Sequence, residues 1–247
     1  MIVKALPRRK AIMRTIIHIF STIDGRISGP FMTSSADAES RAAYARIRED
    51  YAPDAILYGS MTSRAFAGNA PAQPMEGTNV PDGDFVEHAV PELDGEYLVN
   101  LDPAGEVWWK EPVLRRAGHP DATVVEVVTG TTPGEFLAYL RSAGVPYIIA
   151  GDDRVDCAEM LDKLERLLGM ETLLVCGGGK ADWMLLEAGC VDEVSVVITP
   201  VASGEAGVAT LFDQMPGTGR QAPIALSLSK AERVEGDGLH VVYRPCE

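Results

Sequence analysis

Short runs of β-branched and other apolar residues alternate with amphipathic segments along most of this chain. Residues 15–20 are almost all apolar or β-branched, which predicts a strand that is buried on both faces. Residues 36–51 place their apolar side chains on one side and most of their charges on the other, which predicts an amphipathic helix. Pro53 prevents this helix from continuing, and the apolar run 55–58 predicts a second strand.

The same patterns predict the remaining elements. They indicate strands over 97–101, 107–109, 123–128, 147–150, 171–176 and 193–199, helices over 132–144, 157–168 and 181–188, and a hairpin over 224–234 and 239–244. Residues 67–95 are rich in Gly, Pro, Ala and Asn, and we expect there a long excursion with one short helix near residues 83–90.

Alternating strands and helices followed by a hairpin are typical of the α/β class. We therefore predict a mixed, mostly parallel sheet flanked by helices on both faces, with an antiparallel C-terminal hairpin. No repeat or linker divides the sequence, so we expect one domain over residues 14–247. The basic residues 1–13 are predicted to form a mobile arm.

Composition and charge exclude several classes of protein. Apolar residues make up 46% of the 247 residues and charged residues 23%, which is the mix of an ordinary globular protein. The formal net charge of −14 disfavours binding to nucleic acid or to an anionic membrane surface. Any phosphorylated ligand then needs local donors such as helix N-termini. No apolar run reaches the ~20 residues of a membrane span.

The cysteines and histidines give no pattern for a metal site. The four cysteines lie far apart without a C-x-x-C pair, and no H-E-x-x-H motif is present. We therefore expect no metal, no disulfide framework, and reduced cysteines in a cytoplasmic protein.

A glycine-rich turn follows the strand predicted over 171–176. Gly177, Gly178, Gly179 and Lys180 lead directly into a helix, so bare backbone N–H groups are expected at a helix N-terminus. Such a place suits a pyrophosphate. A tight turn without a ligand explains the glycines equally well, and the G-x-G-x-x-G dinucleotide motif is not present.

Two further strand ends carry candidate residues. Gly59, Ser60, Thr62 and Arg64 follow the strand over 55–58, where the hydroxyls are either helix caps or phosphate ligands. Residues 21–27 follow the first strand and contain Asp24, in a position where α/β proteins bind ligands, although Asp-Gly is also a common turn.

Taken in order, these segments resemble the riboflavin-biosynthesis reductase domain. Residues 21–27 (STIDGRI) are similar to its pattern S-[LI]-D-G-[KR]-[IL], with one extra residue before the aspartate. Residues 54–62 are similar to D-A-x-x-x-G-x-x-T, and residues 175–200 to a long block of three glycines, L-L-x-x-G, D-E and proline. This domain is the C-terminal part of a bifunctional deaminase–reductase and has the dihydrofolate reductase fold.

The resemblance implies a function and a set of site residues. It implies an NADPH-dependent hydride transfer to a small-molecule substrate, in which the ribosyl group of 5-amino-6-(5-phosphoribosylamino)uracil is reduced. It also implies a homodimer, because members of this family are often homodimers. Asp24 matches the acid near the nicotinamide and is the expected catalytic residue. The expected substrate-binding residues are Thr22, Arg26 and Ser34, and the expected cofactor-binding residues are Gly59, Ser60, Thr62, Arg64, Gly177, Gly178, Gly179 and Lys180.

The sequence also departs from this family. Cys176 stands where the biosynthetic reductases usually carry an acid, and Ser60 where dihydrofolate reductases usually carry an arginine. Arg64 or Arg154 then has to hold a 2′-phosphate. Two other functions stay open: a reductase of the same fold with another pterin-like or heterocyclic substrate, and a nucleotide-binding relative without turnover.

Overall fold

Strands and helices alternate along the residues that the computed structural model describes, which are 13–75, 82–87, 96–117, 119–214 and 223–246. In chain order the elements are β1 (Arg14–Thr22), α1 (Ala38–Asp50), β2 (Ala55–Gly59), α2 (Ser60–Phe66), β3 (Glu96–Leu101), β4 (Val113–Leu114), β5 (Ala122–Val128), α3 (Gly134–Ser142), β6 (Tyr147–Ile149), α4 (Cys157–Leu168), β7 (Thr172–Val175), α5 (Gly179–Glu187), β8 (Glu193–Thr199), β9 (Leu226–Arg233) and β10 (Leu239–Pro245). Most of the strands and helices predicted from the sequence are confirmed, with ends shifted by one or two residues.

The Cα positions group into two compact units, and each is described by itself. The first unit contains Arg14–Pro53 and Thr172–Glu247, and the second contains Asp54–Glu171. That residues 14–247 form a single domain stays a prediction.

The first unit is built on the strand order β7-β1-β8-β10-β9. Both neighbours of β1 run parallel to it, whereas β10 is antiparallel to β8 and to β9. This confirms the predicted C-terminal hairpin. Helix α1 packs on β1 and β8 and closes a core whose members are Phe20, Phe31, Ala43, Ile47, Val197 and Val234.

The second unit has the strand order β4-β5-β3-β2, with β6 also paired to β5. Strands β2, β3, β5 and β6 are parallel, and only the two-residue strand β4 is antiparallel to its neighbour. Helix α2 packs on β2 and β3, and α4 packs on β6. The predicted α/β class with mostly parallel strands is confirmed.

The strand predicted over 107–109 is wrong. These residues form an irregular segment whose apolar side chains are buried. Trp108 packs edge-on against Phe136 and Tyr139, with ring centroids 5.1 and 4.9 Å apart. The apolar pattern of these buried aromatic residues is therefore similar to that of a buried strand, although the residues do not form one.

The helix predicted near residues 83–90 is also wrong where the structure describes it. Phe85 lies in an isolated bridge, and its N–H donates to Tyr147 O at 2.8 Å while its O accepts from Tyr147 N at 2.9 Å. Extended backbone of this kind excludes a helix at this point. Residues 88–90 lie outside the described residues.

Met13, the last residue of the predicted N-terminal arm, is only 1% exposed. Residues 1–12 lie outside the described residues, so the mobile arm stays a prediction. The four cysteines form no disulfide in the structure. Over the described ranges, no helix is long and apolar enough to cross a membrane, and no group of three His, Cys, Asp or Glu side chains forms a metal-binding cluster.

Candidate active site

Asp24 lies two residues beyond β1, and three donors surround its carboxylate. The Thr22 hydroxyl donates to Oδ1 at 2.6 Å, the Ser203 N–H to Oδ1 at 3.0 Å and the Gly204 N–H to Oδ2 at 2.9 Å. Arg26 Nε lies 4.0 Å from Oδ2. The carboxyl group is 31% exposed, so solvent or a ligand still reaches it.

A tight turn at the end of β1 positions these groups. Gly25 N donates to Thr22 O at 3.0 Å, and Thr22 N donates to Arg26 O at 3.0 Å. The φ of Gly25 is +76°, a conformation that favours glycine. The Thr22 hydroxyl accepts from Arg26 N at 2.9 Å while it donates to Asp24, so this buried side chain fixes the carboxylate from below.

The pKa of Asp24 is held well below its usual range. The hydrogen bond from Thr22 is the largest cause, followed by those from the backbone of Ser203 and Gly204. Each of these donors stabilises the ionised form. Asp24 is therefore an anion near neutral pH, which suits it to holding a water molecule or a polar ligand group rather than to giving up a proton of its own.

A segment that follows β8 lies against this turn. Ile23 N donates to Val201 O at 2.9 Å, and Ile27 N donates to Ala209 O at 3.1 Å. The Arg26 guanidinium donates through Nη1 to Val208 O at 3.4 Å, while its buried Nε has no hydrogen-bond partner among the described residues. The contact of Ser203 and Gly204 with Asp24 could not be found from local patterns, because it joins segments about 180 residues apart.

Ser34 is placed in a separate structural role. Its hydroxyl accepts from Ala36 N at 3.1 Å and caps the short 3-10 turn Ser35–Asp37, and its carbonyl accepts from Arg41 at 2.8 Å. No hydrogen bond among the described residues joins it to Thr22, Asp24 or Arg26. Its part in substrate binding stays a prediction.

The glycine turn before α5 contains two glycines with different surroundings. A Cβ on Gly178 would meet nothing within 4 Å, whereas one on Gly179 would lie 2.2 Å from Thr210 O and 2.8 Å from Asp213 Oδ2. A glycine is therefore required at position 179, because the segment that contains Thr210 and Asp213 leaves no room for a side chain there. Gly178 leaves the start of α5 open to a ligand, and Lys180 beside it is exposed.

Asp182, which the sequence analysis did not single out, lies in the first turn of α5. It is buried, and neither carboxyl oxygen has a hydrogen-bond partner in the described part of the chain. Burial, with a smaller contribution from the charge of Asp213, raises the pKa of Asp182 well above its usual range. Both effects favour the neutral carboxylic acid over the carboxylate. The only sequence signal was an acid on the apolar side of a helix.

Four of the predicted cofactor residues belong to the second unit. Gly59 ends β2, and a Cβ there would meet nothing within 4 Å. Ser60 and Thr62 lie in the first turn of α2 and are half-buried, and Arg64 is exposed in its last turn. Arg64 Nη1 lies 3.7 Å from Glu106 Oε2. The part of these residues in cofactor binding stays a prediction.

Comparison with known proteins identifies the family. The sequence matches the RibD C-terminal domain over residues 14–239. The chain belongs to this family. The 2,5-diamino-6-ribosylamino-4(3H)-pyrimidinone 5′-phosphate reductase of Methanothermobacter thermautotrophicus is 28% identical to this RibD-type domain over 200 residues, which cover 80% of this chain and 82% of that protein. A protein of the same name from Aquifex aeolicus is 32% identical over 91 residues, 37% of this chain and 40% of that protein.

Solved structures show the same fold as this RibD-type domain. A pyrimidine reductase-like protein from Corynebacterium diphtheriae has a TM-score of 0.65 at 16% identity, covering 95% of this chain and 92% of its own. RibD of Acinetobacter baumannii has a TM-score of 0.57 at 15% identity, covering 96% of this chain and 59% of its own. The predicted resemblance is confirmed: the chain is a reductase of the RibD type, which implies a nicotinamide cofactor.

Proposed function

We propose that this protein is an NADPH-dependent reductase that converts the ribosylamino group of a pyrimidine 5′-phosphate into a ribitylamino group. The observation that carries the proposal is the similarity of this chain, over 80% of its length, to the Methanothermobacter thermautotrophicus reductase. Its name favours 2,5-diamino-6-ribosylamino-4(3H)-pyrimidinone 5′-phosphate as the first substrate to test. The aminouracil phosphate implied by the sequence resemblance is the second.

The start of α5, in the first unit, suits the pyrophosphate of a nicotinamide cofactor. The first N–H groups of α5 have no partner inside the helix, and the open position at Gly178 allows a pyrophosphate to approach them. In the second unit, Gly59 is equally open. The bound cofactor supplies a hydride. The chain has to orient the two reactants and to exclude water around them.

We assign Asp24 to orienting the reacting group of the substrate. Its anion, fixed by Thr22, Ser203 and Gly204, holds a donor group of the substrate or the water that delivers the proton. Arg26 beside it has a buried, unsatisfied Nε–H, which suits it to an anionic or carbonyl group.

The test is a titration followed by a turnover assay. Purified protein is titrated with NADPH and NADH, and binding is read from cofactor fluorescence and from the melting temperature; a ligand at 100 times its Kd stabilises a protein by about 2.7 kcal/mol. Either pyrimidine phosphate is then added. We expect NADPH to bind and to be oxidised. Binding without oxidation of NADPH by either substrate would instead support another heterocyclic substrate or a non-catalytic nucleotide-binding protein.

We also propose a homodimer, as the resemblance implies. Strand β8 offers no surface for this contact, because Val194, Val196 and Val197 are buried where β8 lies between β1 and β10. Leu228 on β9 is 56% exposed and supports the proposal better. Sedimentation at twice the chain mass of 26.5 kDa is the expected result, and a monomer at all concentrations would contradict it.

A further inference from the structure

The carboxyl ends of β2 and β3 lie side by side in the second unit. Gly59 pairs with Leu101 in the parallel register, so the segments that follow the two strands start next to each other. One segment is α2, and the other is the turn that begins at Asp102. Ligands of open α/β sheets bind beyond the carboxyl ends of the strands.

An ion pair joins these two segments. Arg64 Nη1 lies 3.7 Å from Glu106 Oε2, and each side chain is 51% exposed. Surface ion pairs of this kind contribute little to folding. The pair therefore leaves both charged groups available to a ligand at this edge of the sheet.

The turn holds Glu106 firmly in place. Asp102 Oδ2 accepts from the N–H groups of Glu106 and Val107, both at 2.7 Å, and Gly105 N donates to Asp102 O at 3.1 Å. Gly105 has a φ of +70°, and a Cβ there would lie 2.9 Å from the Phe136 ring. The turn thus fixes the backbone at Glu106, from which the side chain reaches Arg64.

We infer that Arg64 and Glu106 together recognise the 2′-position of the cofactor's adenosine ribose. The inference rests on the proposed function. A carboxylate accepts a hydrogen bond from a free ribose 2′-hydroxyl, whereas an arginine binds a 2′-phosphate. A 2′-phosphate that binds Arg64 has to displace Glu106 and is repelled by it. A site that contains both Arg64 and Glu106 therefore prefers NADPH over NADH less strongly than a site that contains the arginine without the carboxylate.

The alternative cation, Arg154, is less suited to a phosphate. It lines an open cavity together with five acidic side chains, which are Asp84, Asp152, Asp153, Asp156 and Glu159. The positive charge of Lys163 in the same cavity is already compensated by Asp84 and Glu159. A phosphate entering this cavity meets net negative charge, so Arg64 is the better assignment.

The experiment compares the Kd values of NADPH and NADH for the wild type and two variants, measured by cofactor fluorescence. Glu106→Gln removes the repulsion and is expected to raise the affinity for NADPH relative to NADH on the order of tenfold. Arg64→Gln is expected to weaken NADPH binding on the order of tenfold and to leave NADH within about twofold. Glu111→Gln and Arg115→Gln are matched controls, because these residues form a similar exposed ion pair at 2.8 Å. Neither control should change the ratio.

The outcomes separate this inference from the proposed function. Wild-type protein that binds neither cofactor contradicts the proposed function and this inference with it. Normal binding with an unchanged NADPH-to-NADH ratio in both variants overturns the inference alone. So does an equal loss of both cofactors in Arg64→Gln, provided that the melting temperature is unchanged, because Arg64 then contacts a group that both cofactors share.

Discussion

At the scale of single residues, the hydrogen bonds of Asp24 indicate which role its carboxylate has in the site. Its carboxylate accepts from Thr22, Ser203 and Gly204 and is partly exposed. The sequence motif and the resemblance indicated that this acid is functional. The low pKa set by Thr22 and the two backbone N–H groups favours an anion that orients the substrate or a water molecule.

We predict that Asp24→Asn lowers kcat by at least about a hundredfold, the lower end of the range for a group that assists proton transfer. The cofactor Kd should stay close to the wild-type value, because the expected pyrophosphate donors lie at α5. The measurement is steady-state kinetics beside cofactor titration. If the variant unfolds and loses cofactor binding together with activity, Asp24 is a structural residue.

The two glycines before α5 give a matched pair of variants. Gly179→Ala places a Cβ 2.2 Å from Thr210 O, so we expect a loss of about 1–3 kcal/mol in the free energy of unfolding. Gly178→Ala meets no neighbouring atom and should leave stability nearly unchanged, but it should weaken cofactor binding. Denaturant unfolding and cofactor titration measure the two effects. Unchanged affinity in Gly178→Ala would indicate that the open side of this turn binds no cofactor.

At the scale of elements, the sequence predicts regular structure better than it predicts side-chain partnerships. Strand β1 and helix α1 were recognised because burial on both faces and amphipathicity leave a clear pattern. The prediction of a strand over 107–109 was wrong because Trp108 and Trp109 are buried although the segment that carries them is irregular. The partners of Asp24 and the burial of Asp182 depend on contacts between distant segments, which no local pattern contains.

A buried carboxyl group joins β3 and β5 in the second unit. Asn100 pairs with Glu126 in the parallel register, and its Nδ2 donates to both carboxyl oxygens at 2.9 Å. Trp109 Nε1 also donates to Glu126. Burial, and then the charge of Asp102, raises the pKa of Glu126 well above its usual range.

The sign of the resulting pH dependence follows from the raised pKa. The unfolded state ionises near the ordinary value of 4.5, and the folded state keeps the proton to higher pH. The free energy of unfolding contributed by Glu126 therefore decreases as the pH rises above 4.5. Glu126→Gln keeps the shape and should remove this decrease, as measured by urea unfolding between pH 5 and 9. A variant whose stability depends on pH as the wild type does would contradict this account.

At the scale of the whole molecule, stability should also depend on pH through His18, which lies in the core of the first unit. Burial is the main cause that lowers the pKa of His18 to about 4, although a hydrogen bond to Tyr44 O opposes it. His18 Nδ1 lies 3.0 Å from Ser195 Oγ, which lies 2.9 Å from His240 Nε2. This chain of polar groups connects β1, β8 and β10.

We predict that His18 contributes to the acid sensitivity of the protein. The unfolded state binds a proton below pH 6.5, and the folded state does so only near pH 4, so the free energy of unfolding falls as the pH decreases through this window. The shift corresponds to roughly 3 kcal/mol. His18→Gln should flatten this part of the stability profile, as followed by chemical denaturation. An unchanged slope would show that His18 titrates normally.

We propose above all that this RibD-type domain reduces a ribosylamino pyrimidine phosphate with NADPH. The most direct measurement incubates the purified protein with NADPH and 2,5-diamino-6-ribosylamino-4(3H)-pyrimidinone 5′-phosphate, follows the absorbance of the reduced nicotinamide, and identifies the product by mass. We expect one NADPH oxidised for each ribitylamino product formed, and almost none with Asp24→Asn. A protein that binds NADPH but leaves this substrate and its uracil counterpart unreduced at saturating concentrations would contradict the claim.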